Sequence, residues 1–240
     1  MNVDPKDPRT IAQMATDPEL LECARNLLLK SFAFRYSYNF SWLGRPIIQY
    51  PQDIVAMQEL IWQIKPDLIV ETGIAHGGSL VFSASILELI GENGIVVGID
   101  VDIRKHNRVE IEKHPMCKRI TMLEGSSVDQ LVVDQVRELA KGKSRVMVCL
   151  DSNHTHAHVL KELQAYSPLV TKGSYLVVFD TMIEDMPEEM HADRPWGPGN
   201  NPKTAVREFL ATNTRFRVNK QIESKLILTV CPGGYLECVE

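Results

Sequence analysis

Acidic side chains stand at the ends of four short apolar runs of the chain, at Glu71, Asp100, Asp151 and Asp180. Each run is nearly continuous in valine, isoleucine and leucine, which is typical of a strand covered on both faces of a parallel sheet. The carboxyl ends of parallel strands lie along one edge of the sheet, where ligands bind near the point at which the strand order reverses. We therefore expect these carboxylates to gather around one ligand site.

The loop "ETGIAHGGS" after the first run is similar to a glycine-rich nucleotide turn, in which Gly73 permits a tight change of direction. It departs from the dinucleotide pattern because Ala75 stands in place of the second glycine. Glu71 would also repel a phosphate group, which the backbone N–H groups of such a turn otherwise attract. The loop therefore favours a ligand that is cationic or uncharged at this point. The alternative is a plain strand-to-helix turn with Ser79 near the helix start.

The next two loops carry groups that could bind a nucleoside. Asp100 ends "GIVVGID", and a carboxylate there can accept hydrogen bonds from both ribose hydroxyls, with Asp102 as the alternative. Ser126, in "LEGSSVD", either caps the following helix or offers its hydroxyl and N–H to an adenine edge. Together these groups form the arrangement of an S-adenosylmethionine site. The candidate cofactor residues are Glu71, Gly73, His76, Ser79, Asp100, Asp102, Ser126 and Asp151.

The last two acids predict a divalent cation beside the cofactor. Asp151 and Asp180 would converge as hard oxygen ligands for Mg²⁺ or another divalent cation, with Thr181 adjacent as a third ligand. Such an ion would lower the pKa of an acceptor hydroxyl and position its oxygen for in-line attack on a methyl carbon. Helix caps and salt links within loops are the alternative roles for the two acids.

His154 follows Asp151 by three residues and is the candidate general base, because imidazole titrates near neutral pH. Asp151 is the other candidate catalytic residue, and a structural role for His154 stays open. The alternation of His154, His156 and His158 raises the question of zinc. If a helix begins near Thr155, only two of the three histidines share a face, so zinc is disfavoured.

The elements that must position these residues read as one α/β domain over residues 1–240. Residues 1–65 form a helical extension that includes "TDPELLECARNLLLKSF" and "PQDIVAMQELIWQIKPD". Residues 66–240 alternate apolar runs with helix-length segments, which predicts a Rossmann-like doubly wound sheet of seven strands. Two closing strands, "RFRVNK" and "SKLILTV", are expected to pair antiparallel, so that the sheet is mostly parallel with one reversed strand.

A polar loop, residues 181–201, interrupts the alternation after Asp180. We expect it to close over the acceptor through His191, Arg194 and Trp196, with the tryptophan stacked against a sugar face. A crossover loop without order is the alternative.

Composition narrows the classes of partner. The formal net charge of −5, with scattered basic residues, argues against nucleic acid, and no apolar run is long enough to span a membrane. Five cysteines without a C-x-x-C pair favour a reduced, cytoplasmic protein. The aromatic residues 32–42 either cover the sheet or lie across a partner subunit, which leaves a homo-oligomer open.

The segments "LIVETGIAHGGSLVFSASIL", "CLDSNHTHAHVLKEL" and "RPWGPGNNPKTAVREFL", with the tail "PGGYL", resemble the cephalosporin hydroxylase/rhamnosyl O-methyltransferase family from about Tyr38 onward. The resemblance implies an S-adenosylmethionine-dependent methyltransferase with a divalent metal, whose relatives include enzymes that methylate sugar hydroxyls. The residues that match the family's cofactor and metal positions are Glu71, Gly73, Ser79, Asp100, Asp151 and Asp180.

One departure from that family concerns the metal. Antibiotic-pathway members have Glu-Asp where this chain has Phe179-Asp180, so one metal ligand is absent. The pattern is more similar to catechol-type O-methyltransferases, which implies Asp151, Asp180 and Thr181 as ligands and His154 in the place of the general-base lysine.

The expected function is methyl transfer from S-adenosylmethionine to a hydroxyl of a sugar or other small polyol in a secondary metabolite or glycan. An NAD-linked epimerase or dehydrogenase is the second hypothesis, which the missing glycine and the lack of a Y-x-x-x-K pair disfavour. A non-catalytic regulator that senses the cofactor is the third.

Overall fold

The computed structural model describes residues 7–240, and nine strands lie within them. Seven of these strands form one large sheet. The strands in chain order are β1 (Phe40–Trp42), β2 (Arg45–Ile47), β3 (Leu68–Thr72), β4 (Ile95–Asp100), β5 (Ile120–Glu124), β6 (Val146–Leu150), β7 (Tyr175–Val178), β8 (Phe216–Val218) and β9 (Tyr235–Cys238). The order across the large sheet is β5-β4-β3-β6-β7-β9-β8, and β1 and β2 form a separate antiparallel hairpin. β9 runs antiparallel to both of its neighbours, and the other paired strands of the sheet are parallel. The predicted Rossmann-like, doubly wound sheet with one reversed strand is confirmed.

The helices flank this sheet and precede it. They are α1 (Pro8–Met14), α2 (Pro18–Phe32), α3 (Pro51–Ile64), α4 (Gly78–Ile90), α5 (Lys105–Glu112), α6 (Gln130–Ala140), α7 (His156–Tyr166), α8 (Pro202–Thr212) and α9 (Lys220–Leu226). α2 begins directly after Asp17, because the Asp17 side chain accepts a hydrogen bond from the Leu20 N–H at 2.9 Å. Within residues 7–240, no helix combines the length and the apolar character needed to cross a membrane.

The central strands are buried along their whole length, as their apolar composition predicts. Every residue of β3 and of β6 is buried. Ile69 and Met147 pack on one face of the sheet, and Val70 and Val148 pack on the other. Burying one such side chain contributes about 1.5–3 kcal/mol. The two strands therefore form a rigid base for the loops at their carboxyl ends.

The strand order reverses beside β3. The chain runs from β3 outward to β4 and β5, and then returns to β6 on the other side of β3. This reversal opens a crevice at the carboxyl ends of β3 and β6, which is the usual ligand position in an open parallel sheet.

The prediction for the last strand is wrong. Residues 224–230, "SKLILTV", contain the end of α9, and the final strand is β9 instead. The Asn219 side chain accepts a hydrogen bond from the Gln221 N–H at 3.1 Å and so starts the helix. Ile222 and Leu226, four residues apart, then pack side by side against the core. The rest of the apolar run lies outside the helix, because Ile227 has a φ of 62° and ends it, and Leu228 and Val230 are buried without forming a strand.

Candidate active site

A cavity of about 660 Å³ lies at the carboxyl ends of β3, β6 and β7. Among the predicted site residues, those that line it are Gly73, His76, Ser79, Asp151, His154, Asp180, His191, Arg194 and Trp196. Glu71 lies beside it, in a much smaller cavity that Ser79 and Asp151 also line. The predicted residues outside both linings are Asp100, Asp102, Ser126 and Thr181.

Asp151, His154 and Asp180 converge on one another. One ligand atom of each lies within 4.8 Å of the others, and His154 Nε2 is 3.3 Å from Asp180 Oδ2. The convergence follows from the sheet, because Leu150 and Val178 are register partners at the ends of β6 and β7. The loops that leave these two strands therefore start side by side.

The electrostatics of Asp151 suit a cation. Burial raises the pKa of the Asp151 carboxyl well above its usual value, and the negative charges of Asp180, Glu71 and Glu162 raise it further. The Gln49 amide opposes this shift by donating a hydrogen bond to Asp151 Oδ2 at 3.3 Å. Acids that repel one another in a buried position are relieved by a bound cation, so the donor set fits a divalent ion.

Thr181 does not join the two aspartates. Its hydroxyl donates to the Pro232 carbonyl at 3.0 Å, and its side chain is fully buried away from the cavity. Asp180 has a φ of 55°, in the left-handed region, and begins a 3₁₀ turn over Thr181–Asp185. At this sharp turn the Asp180 side chain stays at the cavity and the Thr181 side chain leaves it.

The glycine-rich loop packs closely against the end of β6. Gly73 has a φ of 89°, and a Cβ atom built on it would lie 2.0 Å from the carbonyl oxygen of Asp151. Gly78, at the start of α4, is equally close to β2, because its Cβ would lie 2.1 Å from the Pro46 carbonyl oxygen. Side chains larger than hydrogen do not fit at either position.

Asp100 holds this loop by its backbone. Asp100 Oδ2 accepts hydrogen bonds from the N–H groups of Ile74 at 2.8 Å and Ala75 at 3.2 Å. Asp100 Oδ1 accepts a third from the Asp102 N–H at 3.1 Å. Three of the carboxylate's hydrogen-bonding positions are thus used inside the protein, and the structure gives Asp100 a loop-positioning role that the sequence did not suggest.

Glu71 is buried and bonded to Ser79. Its side chain is 5% exposed, and the Ser79 hydroxyl donates a hydrogen bond to Glu71 Oε1. Burial raises the pKa of Glu71 to about 7. At neutral pH this carboxyl is therefore partly protonated, and it carries less negative charge than the sequence argument assumed.

Arg45 supports the same loop from the β1–β2 hairpin. Its Nε donates to the His76 carbonyl at 3.0 Å, and its guanidinium donates to Asn107 Oδ1 at 3.0 Å. Asn107 in turn donates to the Ala75 carbonyl at 2.8 Å. Sequence reasoning missed this network, and the one available signal was Gly44, which completes the two-residue turn of the hairpin.

The three alternating histidines point to different partners. His156 contacts Thr204 at 2.8 Å and Glu208 at 3.0 Å. His158 lies 3.0 Å from the hydroxyl of Ser127, which is the serine next to the predicted Ser126. His154 faces Asp180, so the histidines do not form one zinc site.

Two segments cover the cavity from outside the sheet. Residues 181–196 supply Trp196, whose ring meets that of His154 edge to face with centroids 4.8 Å apart. Residues 32–38, between α2 and β1, supply the second wall, including Phe32 and Arg35. The sequence predicts that residues 32–42 cover the sheet or lie across a partner subunit, and in the structure the first part of this segment, within residues 32–38, lines the cavity.

Known proteins of one family are similar to this chain in sequence. A family model described as Rhamnosyl O-methyltransferase/CmcI matches residues 34–239. A rhamnosyl O-methyltransferase of Mycobacterium tuberculosis strain H37Rv is 30% identical over 189 residues, which are 77% of this chain and 72% of that protein. The rhamnosyl O-methyltransferase of Mycobacterium leprae is 28% identical over 148 residues, 61% of this chain and 62% of that protein.

Solved structures share the fold. A structure of CmcI with Mg and SAM has a TM-score of 0.60 at 19% identity, over 85% of this chain and 78% of that one. The O-methyltransferase TomG from Streptomyces achromogenes, in complex with SAM, has a TM-score of 0.56 at 16% identity, over 98% and 96% of the two chains.

Proposed function

The chain belongs to the rhamnosyl O-methyltransferase/CmcI family, and we propose that it methylates a hydroxyl of a sugar or other small polyol in a secondary metabolite or glycan. Family membership confirms the predicted enzyme class, an S-adenosylmethionine-dependent O-methyltransferase. The mycobacterial relatives are rhamnosyl O-methyltransferases, which supports a sugar acceptor for this chain.

The convergence of Asp151, His154 and Asp180 in one cavity is the observation that carries the proposal. The cavity volume of about 660 Å³ lies within the usual range for small-molecule sites. It extends from the glycine-rich loop to the two covering segments, so a methyl donor at the loop and an acceptor under the cover would share it. The acids and the histidine stand where donor and acceptor would meet.

Asp151 and Asp180 would hold Mg²⁺ or another divalent cation. Carboxylate oxygens completed by water are the ligands that Mg²⁺ takes in such sites. When bound, the ion supplies Lewis acidity that lowers the pKa of the acceptor hydroxyl. Thr181 is left out of the ligand set because its hydroxyl is bonded to Pro232.

His154 would accept the acceptor's proton at Nε2. This nitrogen lies 3.3 Å from Asp180 Oδ2, so the Asp180 carboxylate would stabilise the resulting imidazolium. The edge of the His154 ring packs against Trp196, which limits the orientations that the imidazole can adopt. The acceptor oxygen forms a bond to the methyl carbon as the carbon–sulfur bond breaks, and S-adenosylhomocysteine leaves.

The glycine-rich loop would bind the methionyl part of the donor, with Gly73, His76 and Ser79 at the cavity. Asp102 and Ser126 stay proposals for the nucleoside part, and Asp100 would act there through the loop that it holds. The covering loop would contact the acceptor through His191, Arg194 and Trp196.

The test is methyl transfer to a panel of glycosides, followed by mass spectrometry, with and without a chelator. We expect Asp151→Asn and His154→Gln to lower turnover roughly a hundredfold or more, since positioned bases and metal ions contribute at least that much. Calorimetry should give unchanged binding of S-adenosylmethionine by the His154→Gln variant. Asp134→Asn, on the exposed surface of α6, is the matched control and should keep full activity.

Full activity in excess chelator would remove the metal from the mechanism. Binding of NAD instead of S-adenosylmethionine would refute the proposed function as a whole.

A further inference from the structure

The two segments that cover the cavity each bring an arginine to it. Arg35 comes from residues 32–38 and Arg194 from the loop after β7, and both line the cavity. We infer that the acceptor carries an anionic group, a carboxylate or a phosphate, which these two guanidinium groups bind. The inference rests on the proposed function, because it describes the substrate of the same site.

The two covering segments touch through one pair of rings, and each arginine lies three residues after one of the residues of that pair. The rings of Phe32 and His191 meet with centroids 6.0 Å apart. The Arg35 N–H donates to the Phe32 carbonyl at 2.9 Å, and the Arg194 N–H donates to the His191 carbonyl at 2.9 Å. Each arginine therefore follows the contact by one tight turn, and both arginines line the cavity.

The backbone of Arg35 is held in an unfavourable conformation. Its φ of 50° and ψ of 46° lie in the left-handed region, which residues other than glycine and asparagine seldom adopt. Asn39 supports this turn by donating to the carbonyls of Arg35 at 3.2 Å and Tyr36 at 3.1 Å. Strain that the surrounding structure maintains is concentrated at functional sites. A glycine would adopt this backbone conformation more easily.

Both guanidinium groups are available to a ligand. Within residues 7–240, Arg35 forms no ion pair, and Arg194 Nε is 3.8 Å from a carboxylate of Asp193 that is 84% exposed. So long and exposed a pair contributes little. A guanidinium binds a carboxylate or a phosphate through two parallel hydrogen bonds, which suits an anionic substituent better than a hydroxyl.

His191 adds a hydrogen-bonding group between the arginines and the acids. Its side chain is 6% exposed, it lines the cavity, and its Nε2 has no hydrogen-bond partner in the part of the chain that the structure describes. Burial lowers the pKa of His191, so its imidazole is neutral at pH 7. Buried polar atoms normally have partners, and a hydroxyl of the acceptor would supply this one.

Trp196 contacts both an arginine of the anion subsite and the proposed base. The Arg194 guanidinium lies 5.5 Å from the centre of the Trp196 ring. The centre of the His154 ring lies 4.8 Å from the centre of the same Trp196 ring. An acceptor that lies along Trp196 would place its anionic group at the arginines and a hydroxyl at His154.

Matched pairs of glycosides test the inference. The probes are the methyl glycosides of glucose, galactose and mannose, each with the corresponding methyl glycosiduronate, which replaces a hydroxymethyl group by a carboxylate. Binding is measured by calorimetry in the presence of S-adenosylhomocysteine and Mg²⁺, and methyl transfer by mass spectrometry. We expect the acidic member of at least one pair to bind roughly tenfold more tightly, as a charge-assisted bidentate contact would give.

Arg35→Gln and Arg194→Gln should each weaken binding of the acidic glycoside roughly tenfold more than they weaken binding of the neutral one. Arg35→Lys and Arg194→Lys should retain part of the preference for the acidic glycoside, because lysine keeps the positive charge but lacks the planar pair of N–H donors. Arg25→Gln, on the exposed surface of α2, is the matched control and should change nothing. All five variants alter exposed side chains, and equal melting temperatures would verify their folding.

Equal binding of acidic and neutral members, including no binding of either, would overturn the inference. Loss of S-adenosylhomocysteine binding in the glutamine variants would overturn it too, because the arginines would then serve the cofactor's carboxylate. Preferential binding of the acidic glycosides without methyl transfer to any hydroxyl would support the inference and refute the proposed function. Methylation of neutral glycosides alone, unaffected by the arginine variants, would support the proposed function and overturn the inference.

Discussion

Gly73→Ala is expected to damage both stability and activity, because Gly73 is where the cofactor loop touches the metal-site strand. The new Cβ would lie 2.0 Å from the carbonyl oxygen and 2.7 Å from the carbonyl carbon of Asp151. Both atoms belong to the backbone, so no side-chain rotation can relieve the contact. The loop and the end of β6 would have to separate, which would move the Asp151 carboxylate away from His154 and Asp180.

The size of the effect follows from two contributions. The φ of 89° at Gly73 costs an alanine about 1–2 kcal/mol. Overpacking against a rigid neighbour costs about 1–3 kcal/mol more. We therefore expect the free energy of unfolding to fall by about 2–5 kcal/mol, which for a chain of this size lowers the melting temperature by roughly 5–15 °C.

Gly91→Ala separates the two contributions. Gly91 ends α4 with a φ of 79°, and a Cβ built there meets nothing within 4 Å. This variant should lose only the conformational part, about 1–2 kcal/mol, and keep full methyl transfer. Urea unfolding and a methyl-transfer assay on both variants give the comparison. If Gly73→Ala were no less stable than Gly91→Ala and equally active, the close approach of loop and strand would not matter to the site.

Three further changes test other contacts of the described residues. Burial raises the pKa of Glu71 from an ordinary 4.5 to about 7, so its ionisation costs folding free energy as the pH rises through this window. Glu71→Gln should therefore gain about 3 kcal/mol relative to the parent protein between pH 4.5 and 7 and gain nothing more above it, as urea titrations at each pH would reveal. Arg45→Ala removes the donors that hold the His76 carbonyl and should weaken S-adenosylmethionine binding roughly tenfold in calorimetry, with activity restored at saturating cofactor. Asp53→Ala leaves the buried Tyr235 hydroxyl without its acceptor at 2.7 Å and the Val230 N–H without its acceptor at 3.0 Å, which should cost about 3 kcal/mol in urea unfolding.

The sheet and the acids at its edge were predictable because their signals are local. The run before Asp151 is apolar throughout, and in the structure every residue of β6 is buried. Once parallel strands are inferred, the position of each acid at a strand end places it at the same edge of the sheet. The meeting of Asp151 and Asp180 needed no information beyond these two steps.

The contacts that sequence reasoning missed join parts of the chain far apart in sequence. Arg45 reaches His76 and Asn107 from a short hairpin whose pairing depends on tertiary packing. Thr181 is adjacent to Asp180 in sequence, yet it turns toward Pro232 because Asp180 adopts a left-handed conformation. Residues 32–38 line the cavity although nothing in their irregular aromatic pattern indicates it. The local periodicity of the sequence does not predict such contacts.

The burial of Glu71 changes the explanation of why this site would prefer a cationic donor. From the sequence, the preference for a cationic donor is expected to come from the charge of Glu71 alone. A carboxyl with a pKa of about 7 carries only part of a charge at neutral pH. Asp180 lines the cavity itself, and burial raises the pKa of Asp151, which the negative charges of Asp180 and Glu71 raise further. A pyrophosphate in this cavity would meet the same field and also the missing glycine at Ala75.

The preference should therefore survive the loss of Glu71. We expect Glu71→Gln to keep its selection of S-adenosylmethionine over NAD in calorimetry at pH 7.5, with Ser79 still bonded to the amide oxygen. Gaining NAD affinity through this single substitution would return the whole selection to Glu71 and contradict a shared field. The magnitude of any change should also be smaller at pH 6, where Glu71 is already largely protonated and the substitution removes little charge.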